Sequence, residues 1–584
     1  MRSTRLVLAL TLAACGDSGR ETASETSVTT LPTMGDPTLT GGPTTTAPTS
    51  DMSGSGTQGV VSDSTQTGPD PTSQTSASTT TTGDTDDSVG DTADATGTKF
   101  DITDPSAGES STTGPPVDMC KVQDDMDAIG ECDEEAPPNS FEPEIQWTWT
   151  GPGEPYSIVT PLVANLTDDN GDGAIDLCDI PDVVVLASTS SGVPNTVGHI
   201  YVLNGADGAL HFQIAADLDH TVTPAIGDID NDGLPEIVAS IVGGNPVVFE
   251  HDGAQKWVSP SGWPDAYSGA IALADADNDG DVEILAGNRL YDHTGALLFT
   301  APTPAGNWSA SAFADLDGDK DQEIVLGHAA YHHTGQQHYM TNVMPGYPSI
   351  ADFDDDPDPE IVVTNNDGLA LINHDGSVVY QAQRPTGDGV GFTTWLRPST
   401  VHDFDGNGES EFATSSANNY TVYNPLGPSI VWKAVVSDQS GIAAGTAFDF
   451  LGDGIAEAMY ADENFMFIFD GSSGSVLLQI PRTSGTLSEY PIVSDIDNDG
   501  SAEIVVVSCQ YLGVASPTVQ VIRDKMDRWI QARRIWNQHT YHVTNVREDG
   551  TIPQFEPPSW KQLNTFRTNS QIEGGGLCKP PIPQ

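Results

Sequence analysis

Basic residues are scarce in this chain of 584 residues. It contains 21 lysines and arginines against 84 acidic residues, which gives a formal net charge of -63 at pH 7. Proteins that bind nucleic acid carry clustered lysine and arginine side chains that neutralise phosphates. The composition therefore predicts that nucleic acid is not a partner.

Recognisable catalytic motifs are also lacking. The sequence has no Gly-x-Ser-x-Gly elbow, no HExxH, no P-loop and no dinucleotide fingerprint. Carboxylates are abundant enough for a glycosidase pair, but those that can be placed belong to the repeated loops described below. The sequence therefore favours a protein that is not an enzyme and predicts no catalytic residues.

Apolar runs long enough to span a bilayer are missing as well. The run at 6–12 follows two arginines and is too short for a membrane helix, so residues 1–15 are predicted to be an export signal. The segment Leu12-Ala-Ala-Cys15 resembles a bacterial lipobox, which implies cleavage before Cys15 and lipid on its sulfur. Gly16 then favours the outer membrane or cell surface, with lipid as the membrane anchor. The alternative is an ordinary signal peptide with an incidental cysteine.

Residues 16–117 have almost no aromatic or branched aliphatic side chains and consist mainly of Thr, Ser, Gly, Asp and Pro. Such a segment cannot bury enough apolar surface to fold, so a disordered linker is predicted. A flexible chain of this length has a root-mean-square extension of about 55 Å. A short cysteine-containing lead-in, 118–142, follows it.

Cysteine is also rare, at six residues. Export permits disulfides, but lipid on the first cysteine leaves five. The short spacing favours a bridge between Cys120 and Cys132, and a bridge between Cys509 and Cys578 would tie the last repeat to the C-terminal tail. Cys178 is then the odd one, and the connectivity cannot be derived from sequence.

A nine-residue acidic pattern is abundant instead. In Asp228-Ile-Asp-Asn-Asp-Gly-Leu-Pro-Glu236, acids stand at positions 1, 3, 5 and 9 and glycine at position 6. Ca²⁺ takes six to eight oxygen ligands at about 2.3–2.6 Å. Alternating acids along a tight loop direct their oxygens toward one point, and the glycine permits the turn. The pattern therefore predicts a calcium-binding loop.

Seven clear copies of this pattern and one degenerate copy begin 37 to 60 residues apart, which indicates a repeat architecture. The degenerate copy starts at Asp449, and because Leu451 stands at its position 3, it is expected to bind Ca²⁺ weakly or not at all. The other copies predict about seven Ca²⁺ sites. Their ligands at positions 1, 3, 5 and 9 are predicted to be Asp168, Asn170, Asp172 and Asp176; Asp228, Asp230, Asp232 and Glu236; Asp275, Asp277, Asp279 and Glu283; Asp315, Asp317, Asp319 and Glu323; Asp352, Asp354, Asp356 and Glu360; Asp403, Asp405, Asn407 and Glu411; and Asp495, Asp497, Asp499 and Glu503.

These loops resemble the FG-GAP and VCBS-type repeats, the calcium-loop blades of integrin-α-like β-propellers. The resemblance covers roughly 146–534, although the literal FG and GAP tripeptides are missing. An EF-hand is the rival interpretation, but it needs helical flanks and a bidentate glutamate at position 12. Here the flanks are runs such as Ile-Val-Ala, which are typical of strands.

Each repeat predicts four strands in about 45 residues, which matches a propeller blade. Eight loops and eight hairpins, the last being VQVIRDKMDRWI, predict an all-β, eight-bladed propeller over 143–535. Seven blades is the alternative, with the Asp168 or the Asp449 repeat as the doubtful member. Ile145 to Trp149 is predicted to be a fourth strand that closes the ring on the last blade.

Four histidines within eleven residues, His328, His332, His333 and His338, suggest a zinc cluster at first. The repeat alignment favours another interpretation. One histidine stands two residues before the hairpin glycine in four repeats, which is typical of a duplicated turn residue. These residues are His251, His293, His333 and His374.

Residues 536–584 are predicted to be a closing segment. It packs Trp536 and Tyr541 on the ring and satisfies Asn537, Gln538 and Asn545 internally. A catalytic His539 or His542 is the alternative.

The links between blades vary most in length and lie on the face opposite the calcium loops. An aromatic or histidine recurs where they enter the first strand. These residues are predicted to line the channel mouth and to stack on a ligand. They are His220, Tyr267, Trp308, Tyr347, Trp395 and Tyr490.

The leading hypothesis is therefore a lipid-anchored, calcium-binding surface propeller, adhesion-like, that binds an extracellular glycan or protein. One alternative is a polysaccharide lyase that uses Arg384, Arg397, Arg482, His220 or the tail histidines. The other is a purely structural surface protein. Fold alone does not choose between them.

Overall fold

The chain folds into eight four-stranded antiparallel sheets, arranged as the blades of a β-propeller. The structure is a computed structural model that describes residues 136–572 except 138–139, 191–195, 265, 306–307, 355, 392 and 440. The predicted all-β, eight-bladed fold is confirmed. The seven-bladed alternative is wrong, because the repeats that contain Asp168 and Asp449 both form complete blades.

The strand β1 (Pro143–Trp149) precedes blade 1, and each of blades 1 to 7 has four consecutive strands. The first strands of successive blades are neighbours, so they surround the central channel. The strands of these blades are β2 (Leu162–Ala164), β3 (Asp182–Ser188), β4 (Val197–Asn204) and β5 (Leu210–Asp219); β6 (Ala225–Gly227), β7 (Glu236–Ser240), β8 (Pro246–Phe249) and β9 (Gln255–Val258); β10 (Ile271–Ala274), β11 (Glu283–Ala286), β12 (Arg289–Tyr291) and β13 (Leu297–Thr300); β14 (Ala312–Ala314), β15 (Glu323–Val325), β16 (Ala329–Tyr331) and β17 (Gln337–Met340); β18 (Tyr347–Ala351), β19 (Glu360–Asn365), β20 (Gly368–Asn373) and β21 (Val378–Gln383); β22 (Thr400–His402), β23 (Glu411–Ser415), β24 (Asn419–Asn424) and β25 (Ser429–Val435); and β26 (Gly445–Phe448), β27 (Glu457–Ala461), β28 (Phe465–Phe469) and β29 (Val476–Pro481).

Blade 8 closes the ring with both ends of the propeller chain. Its strands are β30 (Ile492–Ser494), β31 (Glu503–Val507) and β32 (Val519–Asp524), and β1 pairs antiparallel with β32 as the outer strand. The predicted closure is confirmed. The predicted last hairpin is wrong, since only its first half is a strand: β1 already occupies the edge that a second half would need.

Burial falls from the channel outward in each blade. The second strands are runs of Val, Ile and Ala buried on both faces, such as β7, because neighbouring blades cover both sides of the sheet. The outer strands alternate between half-buried and exposed residues, as in β13. The core is therefore the set of interfaces between blades.

Each outer strand contains a β-bulge at the same place. In blade 2, Phe249 pairs with Gln255 and Val248 with Trp257, which leaves Lys256 without a partner in the ladder. A bulge turns the extra side chain to a new direction. In the blades where this extra side chain is polar, it points toward the loop between the first and second strands. The extra residues of blades 1 to 8 are His211, Lys256, Leu298, His338, Val379, Val431, Leu477 and Gln146.

The tail that follows blade 8 hydrogen-bonds to the first strands of seven blades. Trp536 exchanges two backbone hydrogen bonds of 2.9 Å with Val163 in β2, and Phe566 pairs in the same way with Val401 in β22. Arg567 donates to Ser349 Oγ in β18 at 2.7 Å, and similar bonds reach β6, β10, β26 and β30. First strands are the inner edge strands of the sheets, so the tail satisfies edge groups that would otherwise be buried without partners.

The predicted closing role of this tail is supported by its packing. Trp536 and Tyr541 are fully buried and stack with ring centroids 4.5 Å apart. The two histidines proposed as a catalytic alternative are buried as well, and His542 lies 2.6 Å from Glu556. A short 3-10 helix, Ser559–Lys561, is the one helical element among the described residues, and none of them forms a helix long and apolar enough to cross a membrane.

The predicted ligand ring at the channel mouth is wrong for five of its six members. Trp308 is 7% exposed, and His220, Tyr347, Trp395 and Tyr490 are 2% exposed or less. Tyr267, which is half-buried, packs on the apolar cluster that contains Trp308 and Tyr347. The tail explains the difference: His539 lies against Tyr347 and Tyr490, with ring centroids 6.3 Å and 5.1 Å apart. The five buried side chains are packed and cannot stack on an external ligand.

Candidate metal centres

The acidic loops connect the first and second strands of the blades, as the sequence predicts, and each loop carries the number of its blade. In loop 3, the position-1 carboxylate of Asp275 accepts hydrogen bonds from the backbone N–H of Asp279 at 3.2 Å and of Gly280 at 2.8 Å. The position-9 residue, Glu283, accepts one from Ala276 N–H at 2.9 Å. The loop backbone thus wraps around its first carboxylate and is held to the start of the second strand. Loops 2, 4, 6, 7 and 8 share both types of contact.

Two loop positions require left-handed backbone, which explains their residues. In loop 3, Asn278 at position 4 has φ 59° and Gly280 at position 6 has φ 98°. Asparagine and glycine adopt this conformation at low cost. The Asn278 side chain also donates to the carbonyl of Lys320 at 3.0 Å, which connects loop 3 to loop 4. The acidic loops of the blades, which lie on one face of the propeller, are together called the acidic rim.

Burial makes these carboxylates costly to ionise without a cation. Burial, with nearby aspartates, raises the pKa of Glu283 to about 8, and the same causes raise the pKa of Glu411 to about 7. In loop 8, burial and the charges of Asp497 and Asp499 raise the pKa of Asp495 to about 8. A divalent cation reverses this penalty, because it attracts the same oxygens that repel each other.

The donor set fits such a cation. Asp495 Oδ1 and Glu503 Oε1 in loop 8 and Asp405 Oδ1 in loop 6 are buried carboxylate oxygens without a hydrogen-bond partner. A buried, unpartnered carboxylate oxygen is expensive unless it binds a proton or a metal ion. Loops 3, 5, 6 and 8 carry carboxylate or amide side chains at positions 1, 3, 5 and 9, and we regard them as the candidate Ca²⁺ loops.

Loop 1 differs from its prediction. The register pairs Ala164 with Asp182, just as it pairs Gly227 with Glu236 in blade 2, so Asp182 occupies the position-9 place. Asp182 also accepts the equivalent backbone bond, from Leu166 at 2.9 Å. The assignment of Asp176 as the ninth ligand is therefore wrong. An insertion in this loop moves the acidic pattern, and its first residue, Asp168, is exposed.

In loop 2 a lysine side chain takes the place beside the carboxylates. The Lys256 ammonium, from the bulge of blade 2, lies 2.5 Å from Asp230 Oδ2 and 3.0 Å from Glu236 Oε1, with Glu250 Oε1 at 3.3 Å. Burial opposes this charge, but the hydrogen bonds to Asp230 and Glu236 outweigh burial and raise the pKa of Lys256. Asp230 and Glu236 are thus neutralised internally, although the acidic pattern of loop 2 is as regular as any in the chain.

The turn histidines lie where the repeat alignment predicts. His293 and His333 are in the hairpin turns between third and fourth strands, each 3.4 Å from a loop aspartate, Asp281 and Asp321 respectively. This contact also places the hairpins on the same face as the acidic loops. His332 and His338 behave differently, because both turn toward the acids of loop 4.

Sequence reasoning missed the bulge residues. Gln146 donates to Asp497 Oδ2 at 2.7 Å in blade 8, and His211 lies 3.4 Å from Asp182 in blade 1. Together with Lys256 and His338, they bring a polar group to the loop of their own blade. The sequence contained a signal for these residues. In blades 1, 2 and 4 the bulge residue follows the hairpin glycine by three positions, and it is polar or charged although it lies in an outer strand.

Comparison with known proteins agrees with this architecture. The family model of the FG-GAP-like repeat matches residues 228–286, which run from loop 2 to the end of β11. No curated protein matches the chain. The fold defines an eight-bladed β-propeller, and the stretch 228–286 is similar to the FG-GAP-like repeat.

Two solved structures illustrate the likeness. The biofilm matrix protein Bap1 of V. cholerae is 22% identical with a TM-score of 0.64, over 74% of this chain and 99% of that chain. The rhamnogalacturonan lyase PL11 of Bacillus licheniformis is 16% identical with a TM-score of 0.46, over 77% of this chain and 83% of that chain. The first of these shows a shared fold.

Proposed function

We propose that this protein is a calcium-stabilised propeller of the bacterial cell surface, anchored by lipid on Cys15 and extended from the membrane by the linker over 16–117. In this role it binds an extracellular glycan or protein and does not cleave it. The observation that carries the proposal is the set of buried, unpartnered carboxylate oxygens in the acidic loops, which calls for bound cations. Calcium is abundant outside cells and suits these oxygen donors.

The lyase alternative is weakened by the placement of two of its three arginines. Arg397 is fully buried and ion-paired with Asp438, and Arg482 is buried with its Nη2 3.1 Å from Glu489 Oε1. A uronate in solvent has no access to either guanidinium. A shared fold with a biofilm matrix protein supports an extracellular, non-enzymatic role, whether in binding or as a structural component.

The face opposite the acidic loops is the surface that we propose for ligand binding. The links between blades and the connections between second and third strands lie on this face, and such variable segments on a rigid scaffold commonly carry binding. Large apolar side chains are exposed there: Val390 is 61%, Val435 83% and Leu512 81% exposed. They replace the buried aromatic ring as the proposed contact residues.

A screen against glycans and surface polysaccharides, with and without Ca²⁺, tests this proposal. We expect binding that requires Ca²⁺, no release of shortened products, and at least about tenfold weaker affinity in the Val390→Asp, Leu512→Asp variant. The matched control is Leu426→Asp with Met526→Asp, because these side chains are 54% and 62% exposed on the acidic-loop face. Cleavage of a polysaccharide would replace the proposal with the lyase alternative, and equal loss in both variants would reject the chosen face.

Location is tested by Cys15→Ser, a residue that lies outside the described part of the chain. We expect the wild-type protein to sediment with membranes after detergent-free lysis, since the several acyl chains of a lipoprotein anchor stably. The variant should appear in the soluble fraction or remain as uncleaved precursor. A wild-type protein found in the soluble fraction would contradict the anchor. The predicted bridges that involve Cys120, Cys132 and Cys578 also depend on residues outside the described part.

A further inference from the structure

Blade 4 contains a cluster that combines two loop carboxylates with two imidazoles. Asp317 and Glu323 belong to loop 4, and His332 and His338 come from the hairpin that joins β16 to β17. One ligand atom from each of the four residues lies within 4.8 Å of the other three. His332 Nδ1 is 2.8 Å from Glu323 Oε1, and His338 Nδ1 is 3.9 Å from Asp317 Oδ2.

The hydrogen bond on the far side of His338 fixes its orientation. His338 Nε2 lies 3.0 Å from the carbonyl oxygen of His374 in the next blade. Because a carbonyl oxygen can only accept, Nε2 carries the hydrogen, and Nδ1 of the neutral ring presents its lone pair to Asp317. Histidines that bind metals are commonly held in this way, with one ring nitrogen donating to a backbone carbonyl and the other on the ion.

Neighbouring blades have the same acids but lack the imidazoles. The residue equivalent to His338 is Leu298 in blade 3 and Val379 in blade 5, and the residue equivalent to His332 is Asp292 in blade 3. Loop 4 is therefore chemically distinct among adjacent repeats of one architecture. Its bulge turns a nitrogen ligand to the place where other loops offer only oxygen.

We propose that Asp317, Glu323, His332 and His338 bind one Zn²⁺ ion. Zinc takes four nitrogen, sulfur or carboxylate ligands in tetrahedral geometry at about 2.0–2.2 Å, so side-chain shifts of about 1 Å bring these atoms to a common ion. Calcium requires more ligands, all of them oxygen, and neutral imidazole suits zinc better. The site extends the acidic rim and does not depend on Ca²⁺ in the other loops.

Calorimetric titration of the full chain with Zn²⁺ in saturating Ca²⁺ tests this site, with zinc content after dialysis as the second readout. The His332→Gln, His338→Gln variant should bind one Zn²⁺ fewer than wild type, or bind it at least about tenfold more weakly. A difference of one ion is the measured quantity, because His211 and its aspartates in blade 1 are a further group of possible ligands.

The matched control is His293→Gln with His333→Gln. It removes two histidines from the same face, each also 3.4 Å from a loop aspartate, but outside the cluster. Wild-type stoichiometry in this control supports the site. Equal zinc binding by wild type and the His332, His338 variant, or equal loss in both double variants, would overturn it. If Ca²⁺ alone displaces the Zn²⁺ at equal concentration, loop 4 is an oxygen site and the proposal fails while the calcium proposal stands.

Discussion

Removing Ca²⁺ with EDTA is expected to lower the melting temperature of the purified protein by more than about ten degrees, and added Ca²⁺ should restore it. A ligand that binds only the folded state at about 100 times its dissociation constant contributes about 2.7 kcal/mol per site. Four such loops then contribute about 11 kcal/mol, and for a domain of this size each kcal/mol shifts the melting temperature by roughly 1–2 °C. Differential scanning calorimetry in the two buffers measures the effect.

The effect of EDTA should also grow with pH. Burial raises the pKa of Glu283 from 4.5 to about 8 and that of Glu360 to about 7 in the metal-free fold. Between these pH values the folded state holds protons that the unfolded state has released, so the metal-free protein loses stability as pH rises. Ca²⁺ binds the ionised carboxylates and removes this loss. The difference between the two buffers is therefore expected to be larger at pH 8 than at pH 5.

A pair of position-3 variants serves as the control. Asp277→Asn in loop 3 should lower the bound Ca²⁺ by about one ion per chain. Asp230→Asn in loop 2 should leave it unchanged, because Lys256 lies against this carboxylate at 2.5 Å. Identical melting curves with Ca²⁺ and EDTA would contradict the calcium assignment altogether. Loss of one ion in both variants would contradict the internal role of Lys256.

The blade architecture could be predicted because its signals are local. The acidic loop, the strand that follows it and the hairpin glycine recur within each repeat, so eight copies predict eight blades without knowledge of tertiary contacts. The closing strand Ile145–Trp149 could be predicted by the same logic, as a fourth strand without its first three. The candidate Ca²⁺ ligands of loops 3, 5, 6 and 8 required nothing beyond this spacing.

What escaped prediction depends on contacts between distant parts of the chain. The side chain that enters a loop comes from a bulge in the outer strand of the blade, outside the loop itself, and a bulge has no fixed sequence pattern. In the sequence, Lys256 is therefore indistinguishable from an ordinary surface lysine, although the fold places it beside Asp230. In loop 1 the pairing of β2 with β3 places Asp182 at position 9, whereas the acidic pattern that starts at Asp168 predicts Asp176 there. The tail that covers the channel likewise contacts strands that lie up to several hundred residues away in the sequence.

The burial of Trp308 and Trp395 leads to the second large prediction, a severe loss of stability when both are replaced by alanine. Trp395 is fully buried and Trp308 is 7% exposed. Truncation of a buried tryptophan costs about 3–5 kcal/mol, since it removes apolar contacts and leaves a cavity. The two side chains belong to different apolar clusters, so their effects should be nearly additive. The sum, about 6–10 kcal/mol, is comparable to the whole stability of a typical domain.

Urea unfolding of each single variant, followed by the double variant, measures this loss in Ca²⁺ buffer. Phe555→Ala is the matched control, because it removes a large aromatic ring that is 57% exposed and should change the free energy of unfolding by less than about 1 kcal/mol. Single variants keep the test informative if the double variant does not fold. A double variant that melts like wild type but no longer binds ligand would contradict the packed placement and return Trp308 and Trp395 to a binding surface. A double variant that melts far lower instead assigns these side chains to the interior, where the tail covers the channel and the exposed links are left as the surface available to a ligand.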